Sequence, residues 1–132
     1  MTRKGGTPGI AVIGGGLTGL MTAAALSHAG PRIHLIDRAE SDAVHPDERT
    51  TTINNAGARM LAALGVWDRL EKPPAPVTRI AVAEGPAPTG LSARRRPDSD
   101  LSWQSGDAPM GYVVANAALQ SALRETLAAT NV

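Results

Sequence analysis

The stretch IAVIGGGLTGL, residues 10–20, limits what this chain can fold into more than any other. IAVI has no polar alternation, as in a strand of a parallel sheet covered on both faces. Three glycines end it. From Leu17 to Ala29 the chain then reads as a helix rich in small residues, and Gly30-Pro31 stops it. RIHLID, residues 32–37, is a second strand: Ile33, Leu35 and Ile36 are apolar, and Asp37 closes the run. Strand, helix and strand in so short a span form a βαβ unit, whose crossover is right-handed. The fold class is therefore α/β, begun by a Rossmann-like unit.

The glycines fall as Gly14-x-Gly16-x-x-Gly19, and Asp37 follows 18 residues after Gly19. With 14 glycines in 132 residues, chance matches to the spacing are not rare. The strand–turn–helix setting and the acid beyond it make the pattern specific, because each part has its own task. Gly14 turns the chain sharply out of the strand. Gly16, lacking a Cβ, lets the backbone approach a pyrophosphate. Gly19 lets the helix pack close to the strands, and Ala23 extends that flat face by one turn. The free N–H groups of the helix start then point at the ligand, with Gly15, Leu17 and Thr18 among the residues expected to bind it, and the helix dipole adds about half a positive charge there. No lysine follows the loop, so it is not a nucleoside-triphosphate loop. Asp37 would accept hydrogen bonds from the ribose hydroxyls of an adenosine. A 2′-phosphate beside it would be repelled, although Arg38 softens that argument. The ligand implied is FAD or NAD rather than NADP, and spacing alone does not choose between the two. The plain alternative is a glycine-rich turn with no ligand.

Composition narrows the function further. Thirteen basic and twelve acidic residues leave a formal charge of +1, which gives no push toward nucleic acid or an acidic membrane. There are no cysteines, so disulfide and thiolate chemistry are excluded, which suits the cytoplasm. His28, His34 and His45 lack metal-ligand spacing, and no metal is expected. No apolar stretch reaches the roughly 18 residues of a membrane span. MTRKGGTPG is basic, but the glycines interrupt the apolar run behind it, so residues 1–9 are expected to be a disordered leader and not a secretory signal. Without phenylalanine, and with Trp67, Trp103 and Tyr112 as the only aromatics, the core must be built from Ala, Leu, Val and Ile.

The rest of the chain changes period. Residues 38–52 are polar and read as a loop. A second helix is expected from Ile53 to Leu64, with Ile53, Ala56, Met60 and Leu64 at helical spacing and Gly65 as its cap. VWDRLEK adds a turn or two, with Trp67 packing after the helix. KPPAP, 72–76, excludes helix and central strand and marks a crossing. VTRIAVAE (77–84), LSARR (91–95) and, more weakly, DLSWQ (100–104) suggest an antiparallel meander. ARRRPDSD reads as a solvated loop. MGYVVA (110–115) is a last strand. Asn116 can then cap a helix whose buried stripe is Leu119, Ala122, Leu123 and Leu127.

The segment from Ile10 to Asp37 resembles the N-terminus of the FAD-dependent aromatic hydroxylases, the p-hydroxybenzoate hydroxylase-like group. DERTTTINNAGARMLAALGVWDRL is similar to the ubiquinone-biosynthesis hydroxylases of that group, with Asp-x-Arg at Asp47 and Arg49 and the helix end at Leu64, Gly65 and Trp67. MGYVVANAALQSAL resembles the same family's strand-to-helix passage. The resemblance implies a flavin monooxygenase: NAD(P)H is the transient co-substrate that reduces FAD, and the reduced flavin uses dioxygen to hydroxylate an electron-rich ring. It implies that Arg49 reaches the FAD phosphates, since a guanidinium can fork onto phosphate oxygens, and that Asn116 lies near the flavin. Many relatives follow that Asn with Arg; here Ala117 follows it. No catalytic residue is assigned.

The domains expected are 10–72 for the ADP half of the FAD site, 73–112 for the start of a substrate-domain sheet, and 113–132 for a return to the FAD domain. In relatives a Gly-Asp-Ala motif near the other end of the chain contacts FAD, and this sequence has no such segment. A truncated form of the fold is therefore expected: a fragment, or one half of an enzyme completed by a second chain. Two other functions stay open, a non-catalytic NAD- or FAD-binding module and a ligand-free remnant. The aromatic substrate is not named by these residues. A polyprenyl phenol substrate would bring peripheral membrane association.

Overall fold

The computed structural model describes residues 9–38, 47–82, 101–130 and 132. In chain order they form β1 (Gly9–Ile13), α1 (Leu17–Ser27), β2 (Arg32–Ile36), β3 (Thr50–Asn54), α2 (Asn55–Ala63), a 3-10 turn (Trp67–Arg69), β4 (Ala75–Val77), β5 (Arg79–Val82), β6 (Leu101–Gln104), β7 (Gly111–Ala115) and α3 (Asn116–Ala128). β1 and β2 pair in parallel, from Gly9 opposite Arg32 to Ile13 opposite Ile36. With α1 between them, this is the βαβ unit that the apolar run and the glycines predict. Small side chains let α1 pack closely: Ala23 and Ala24 are fully buried beside Leu20, and α1 lies against β1, β2 and α3.

The loop expected over 38–52 is corrected at its end. Thr50–Asn54 is a strand, paired antiparallel with β7 from Thr50 opposite Ala115 to Asn54 opposite Gly111. β-branched threonines suit extended backbone, but the strand carries little apolar character of its own, and its partner is far along the chain. The second helix therefore starts at Asn55 and not at Ile53. Asn54 caps it, its Oδ1 accepting from the Gly57 N–H at 2.8 Å. The buried face moves accordingly: Leu61 is buried, while Met60, expected in the stripe, is exposed. Gly65 ends the helix at φ +70°, as a residue without a Cβ can.

KPPAP is partly extended. Pro76 sits in β4 opposite Tyr112. The sheet order is β3-β7-β4, so β4 is an edge strand, where a residue without an N–H is tolerated. VTRIAVAE splits at Thr78. Val77 ends β4, and Arg79 opens β5, which pairs antiparallel with β6 in a separate sheet. β7 is central to the three-stranded sheet and straddles the boundary expected at 112/113. Residues 1–8 of the expected leader, the strand expected at 91–95, ARRRPDSD and His45 lie outside the described residues.

One core joins the βαβ unit to α2, β7 and α3; β5 and β6 are exposed along their length. Leu119, Ala122, Leu123 and Leu127 of α3 are all buried, as their spacing predicts, and Ile33, Leu61, Val66 and Val114 join them. Trp67 packs edge-on against Tyr112, ring centroids 5.1 Å apart at 75°, a favourable aromatic geometry. Ile10, Ile13 and Ile36 on the parallel pair are exposed, Ile13 at 85%.

Candidate functional site

The site begins where β1 ends. Gly14 turns at φ +106°, a backbone region that side-chain-bearing residues rarely adopt. Its N–H still donates to the Ile36 carbonyl at 2.8 Å, so the turn stays attached to β2. The Gly15 N–H donates to the Asp37 carboxylate, at Oδ2. Gly16 precedes α1 in an extended conformation and offers no side-chain cap, and the first turn carries no acidic residue. The N–H groups of Leu17, Thr18 and Gly19 belong to that first turn, which has no helical carbonyl to bond.

Two glycines shape the space above the helix start. A Cβ on Gly16 would meet no atom within 4 Å, so the approach to the helix start is open. A Cβ on Gly19 would lie 1.7 Å from the Gly14 carbonyl oxygen. Only a glycine lets the first turn of α1 rest directly on the loop. Open backbone, unpaired helix N–H groups and the positive end of a helix dipole suit a diphosphate. Asp37 stands at the rim, as its position after β2 predicts, with a backbone donor from the loop itself as a partner. Arg38 is exposed beside it.

Arg49 and Asn116, 67 positions apart in the chain, are brought together through Asp47. Arg49 Nε donates to Asp47 Oδ1 at 2.8 Å and Nη2 to Oδ2 at 2.9 Å. Asn116 Nδ2 donates to Asp47 Oδ2 at 3.1 Å. Thr51 Oγ1 donates to Asn116 Oδ1 at 2.6 Å, and the Asn116 N–H donates to the Arg49 carbonyl at 3.0 Å. This corrects the expectation that Asn116 caps α3. The flanking residue is Ala115, with no side-chain cap; the Asn116 amide is drawn away to β3 and Asp47. Asp47 and Thr51 were not foreseen as site residues. The Asp-x-Arg pair carried a signal for Asp47. For Thr51 there was none, since its partner is 65 positions away.

The Arg49 side chain is 82% exposed and that of Asp47 only 11%. Hydrogen bonds from Arg49 and then Asn116 hold the Asp47 carboxyl well below the usual carboxylate range, and the same pairing raises Arg49. A carboxyl depressed in the folded state adds stability above its unfolded value and loses it as pH falls through the folded one. Asp47→Asn is therefore expected to lower the melting temperature at pH 7. The difference from the parent chain should shrink steadily below about pH 4, the ordinary aspartate value. Thermal melts by circular dichroism across pH 2–7 check this; a gap that does not change with pH would remove Asp47 from the balance.

Beside the loop lies a hollow of 530 Å³ whose lining includes Leu17, Thr18, Met21, Thr51, Ile53 and Leu61. It links the start of α1 to β3 and α2. Among the described residues no group of His, Cys, Asp or Glu is placed to hold a metal, and no helix is long and apolar enough to cross a membrane.

Comparison with known proteins bears on the family and the fold. Ubiquinone hydroxylase UbiL of Rhodospirillum rubrum is 31% identical over 117 residues, 86% of this chain and 25% of that protein. Tetrameric 2-methyl-3-hydroxypyridine-5-carboxylic acid oxygenase superposes with a TM-score of 0.68 at 20% identity, over 95% of this chain and 30% of that one. p-Nitrophenol 4-monooxygenase PnpA from Pseudomonas putida DLL-E4 gives 0.64 at 22% identity, over 92% and 29%. The chain thus spans about a quarter of that curated relative and under a third of these solved chains. A family, the FAD binding domain, matches residues 7–130, and it is to this family that the chain belongs.

Proposed function

We propose that this chain supplies the ADP side of the FAD site in a flavin-dependent monooxygenase that hydroxylates an aromatic ring, similar to those of ubiquinone biosynthesis, with NAD(P)H as transient co-substrate. The observation that carries the reading is the open backbone at Gly16, walled by the contact of Gly19 with Gly14. The residues present fit the diphosphate and adenosine end of FAD. N–H groups from Gly16 to Gly19 face a diphosphate. A carboxylate has about four acceptor sites, so Asp37 can keep its bond to Gly15 and still take ribose hydroxyls. Arg49 offers a cation to the phosphates. Bound FAD supplies the redox chemistry; these residues bind and orient it.

The finer assignments rest on the same reading. Residues 10–72 and 113–132 form the FAD side, and 73–112 begin the surface that faces the aromatic substrate. Ubiquinone biosynthesis is supported by the UbiL similarity. The remainder of the flavin and ring sites comes from polypeptide like that which the longer relatives carry, supplied by a second chain if not by this one. A cytoplasmic enzyme fits the composition, with peripheral membrane contact if the ring bears a polyprenyl tail.

Titration calorimetry with ADP, FAD and NAD tests this. ADP, FAD and NAD share the half that this chain would hold and should all bind weakly, and the chain alone should oxidise no NADPH. Asp37→Ala should weaken ADP by about tenfold, the worth of one hydrogen bond to a charged group. Absence of any ADP binding would overturn the reading; unchanged affinity in Asp37→Ala would remove only that residue.

A further inference from the structure

The Arg49 guanidinium is held in an unusual way for an exposed arginine. Exposed ion pairs are ordinarily loose and contribute little. This one is forked, and its carboxylate is anchored from behind. Asp47 takes Nε–H and one Nη2 N–H of Arg49, and its Oδ2 also accepts from Asn116. Asn116 is itself fixed by Thr51 on β3 and by the Arg49 carbonyl. The guanidinium has five N–H donors in one rigid plane. Among the described residues two are engaged, so both N–H groups of Nη1 and the second of Nη2 lie away from Asp47 on the outer edge. With the side chain 82% exposed, that edge faces solvent.

We infer that Asp47 is a positioning residue: through the clasp it makes with Asn116, it presents the outer edge of Arg49 for forked bonding to a phosphate. The inference rests on the reading that the chain binds a diphosphate. Its physics is geometric and not attractive at long range, because the carboxylate cancels much of the Arg49 charge. The gain comes from fixing a flexible side chain before the ligand arrives. The placement is suitable. Thr51, one member of the clasp, lines the same hollow as Leu17 and Thr18 at the start of α1, and α3, which begins at Asn116, packs along α1.

The two contributions of Asp47 make opposite predictions. If charge alone mattered, Asp47→Asn would free a cation and tighten ADP. If orientation matters, Asp47→Asn weakens ADP by about tenfold, the worth of one bond to a charged group, and leaves adenosine, which has no phosphate, unchanged. Arg49→Lys leaves the Asp47–Asn116 bond in place but presents no forked edge. It should lose as much, and it keeps the test alive if Asp47→Asn folds poorly. Nuclear magnetic resonance of the arginine Nε–H gives a readout without ligand: the Arg49 signal should be protected from exchange in the parent chain and lose that protection in Asn116→Ala.

Protection together with a phosphate-dependent loss supports the inference. ADP binding that is equal or tighter in a folded Asp47→Asn, or in Arg49→Lys, overturns it while leaving the nucleotide reading intact. A parent chain that ignores both ADP and FAD overturns the two together.

Discussion

Gly19→Ala is expected to cost about 3 kcal/mol or more and to leave much of the chain unfolded at 37 °C, because overpacking against rigid backbone is among the most damaging single changes. The added methyl would fall 1.7 Å from the Gly14 carbonyl oxygen. The obstacle is main chain, so no side chain can rotate out of the way. Either α1 lifts from the loop or β1 leaves β2. The first exposes Leu20, Ala23 and Ala24, which are now buried. The second breaks the Gly14 bond to Ile36. Urea unfolding followed by circular dichroism measures the loss. A variant as stable as the parent would mean that α1 is not seated on the loop as described.

Gly16→Asp should behave in the opposite way. The position precedes α1 with extended backbone, and a Cβ there meets nothing within 4 Å. Aspartate is a favoured residue before a helix, better than glycine by a few tenths of a kcal/mol, and its charge suits the helix dipole. Stability should hold or rise slightly. ADP affinity should fall by roughly a hundredfold, the worth of one or two bonds to a charged group, because the new carboxylate takes the N–H groups meant for phosphate. Calorimetry and a thermal melt on one preparation decide it. Unchanged ADP affinity would move the diphosphate away from the glycine loop. Together the two variants separate what glycine does for packing from what it does for a ligand.

The part of the fold legible in the sequence is the part whose causes are local. Apolar IAVI, the glycines, the small-residue helix and Asp37 follow one another without interruption, and each limits its neighbour. The stripe of α3 is equally self-contained. β3 was not legible because its threonines are polar, and what extends them is β7, some 60 positions on. The start of α2 was misplaced for the same reason: Ile53 keeps helical spacing but is claimed by the sheet. The turn at Gly14 and the close seat of Gly19 were legible from backbone needs alone. The Asn116 side chain was not, because Asn at a helix start satisfies a local rule, whereas its partners Asp47 and Thr51 are 69 and 65 positions away. Side-chain networks across distant segments leave no periodic trace.

Ala23, Ala24 and Ala122 are wholly enclosed, and α1 runs beside α3. The glycine cradle sits at the start of the first helix, and Asn116, which steadies Arg49, at the start of the second. If the proposed phosphate site spans both helix starts, small enclosed side chains on these helices would set the distance between its two halves. Enlarging one of them would then spread the jaws without touching either, and ligand fit would be partly a property of the least reactive side chains.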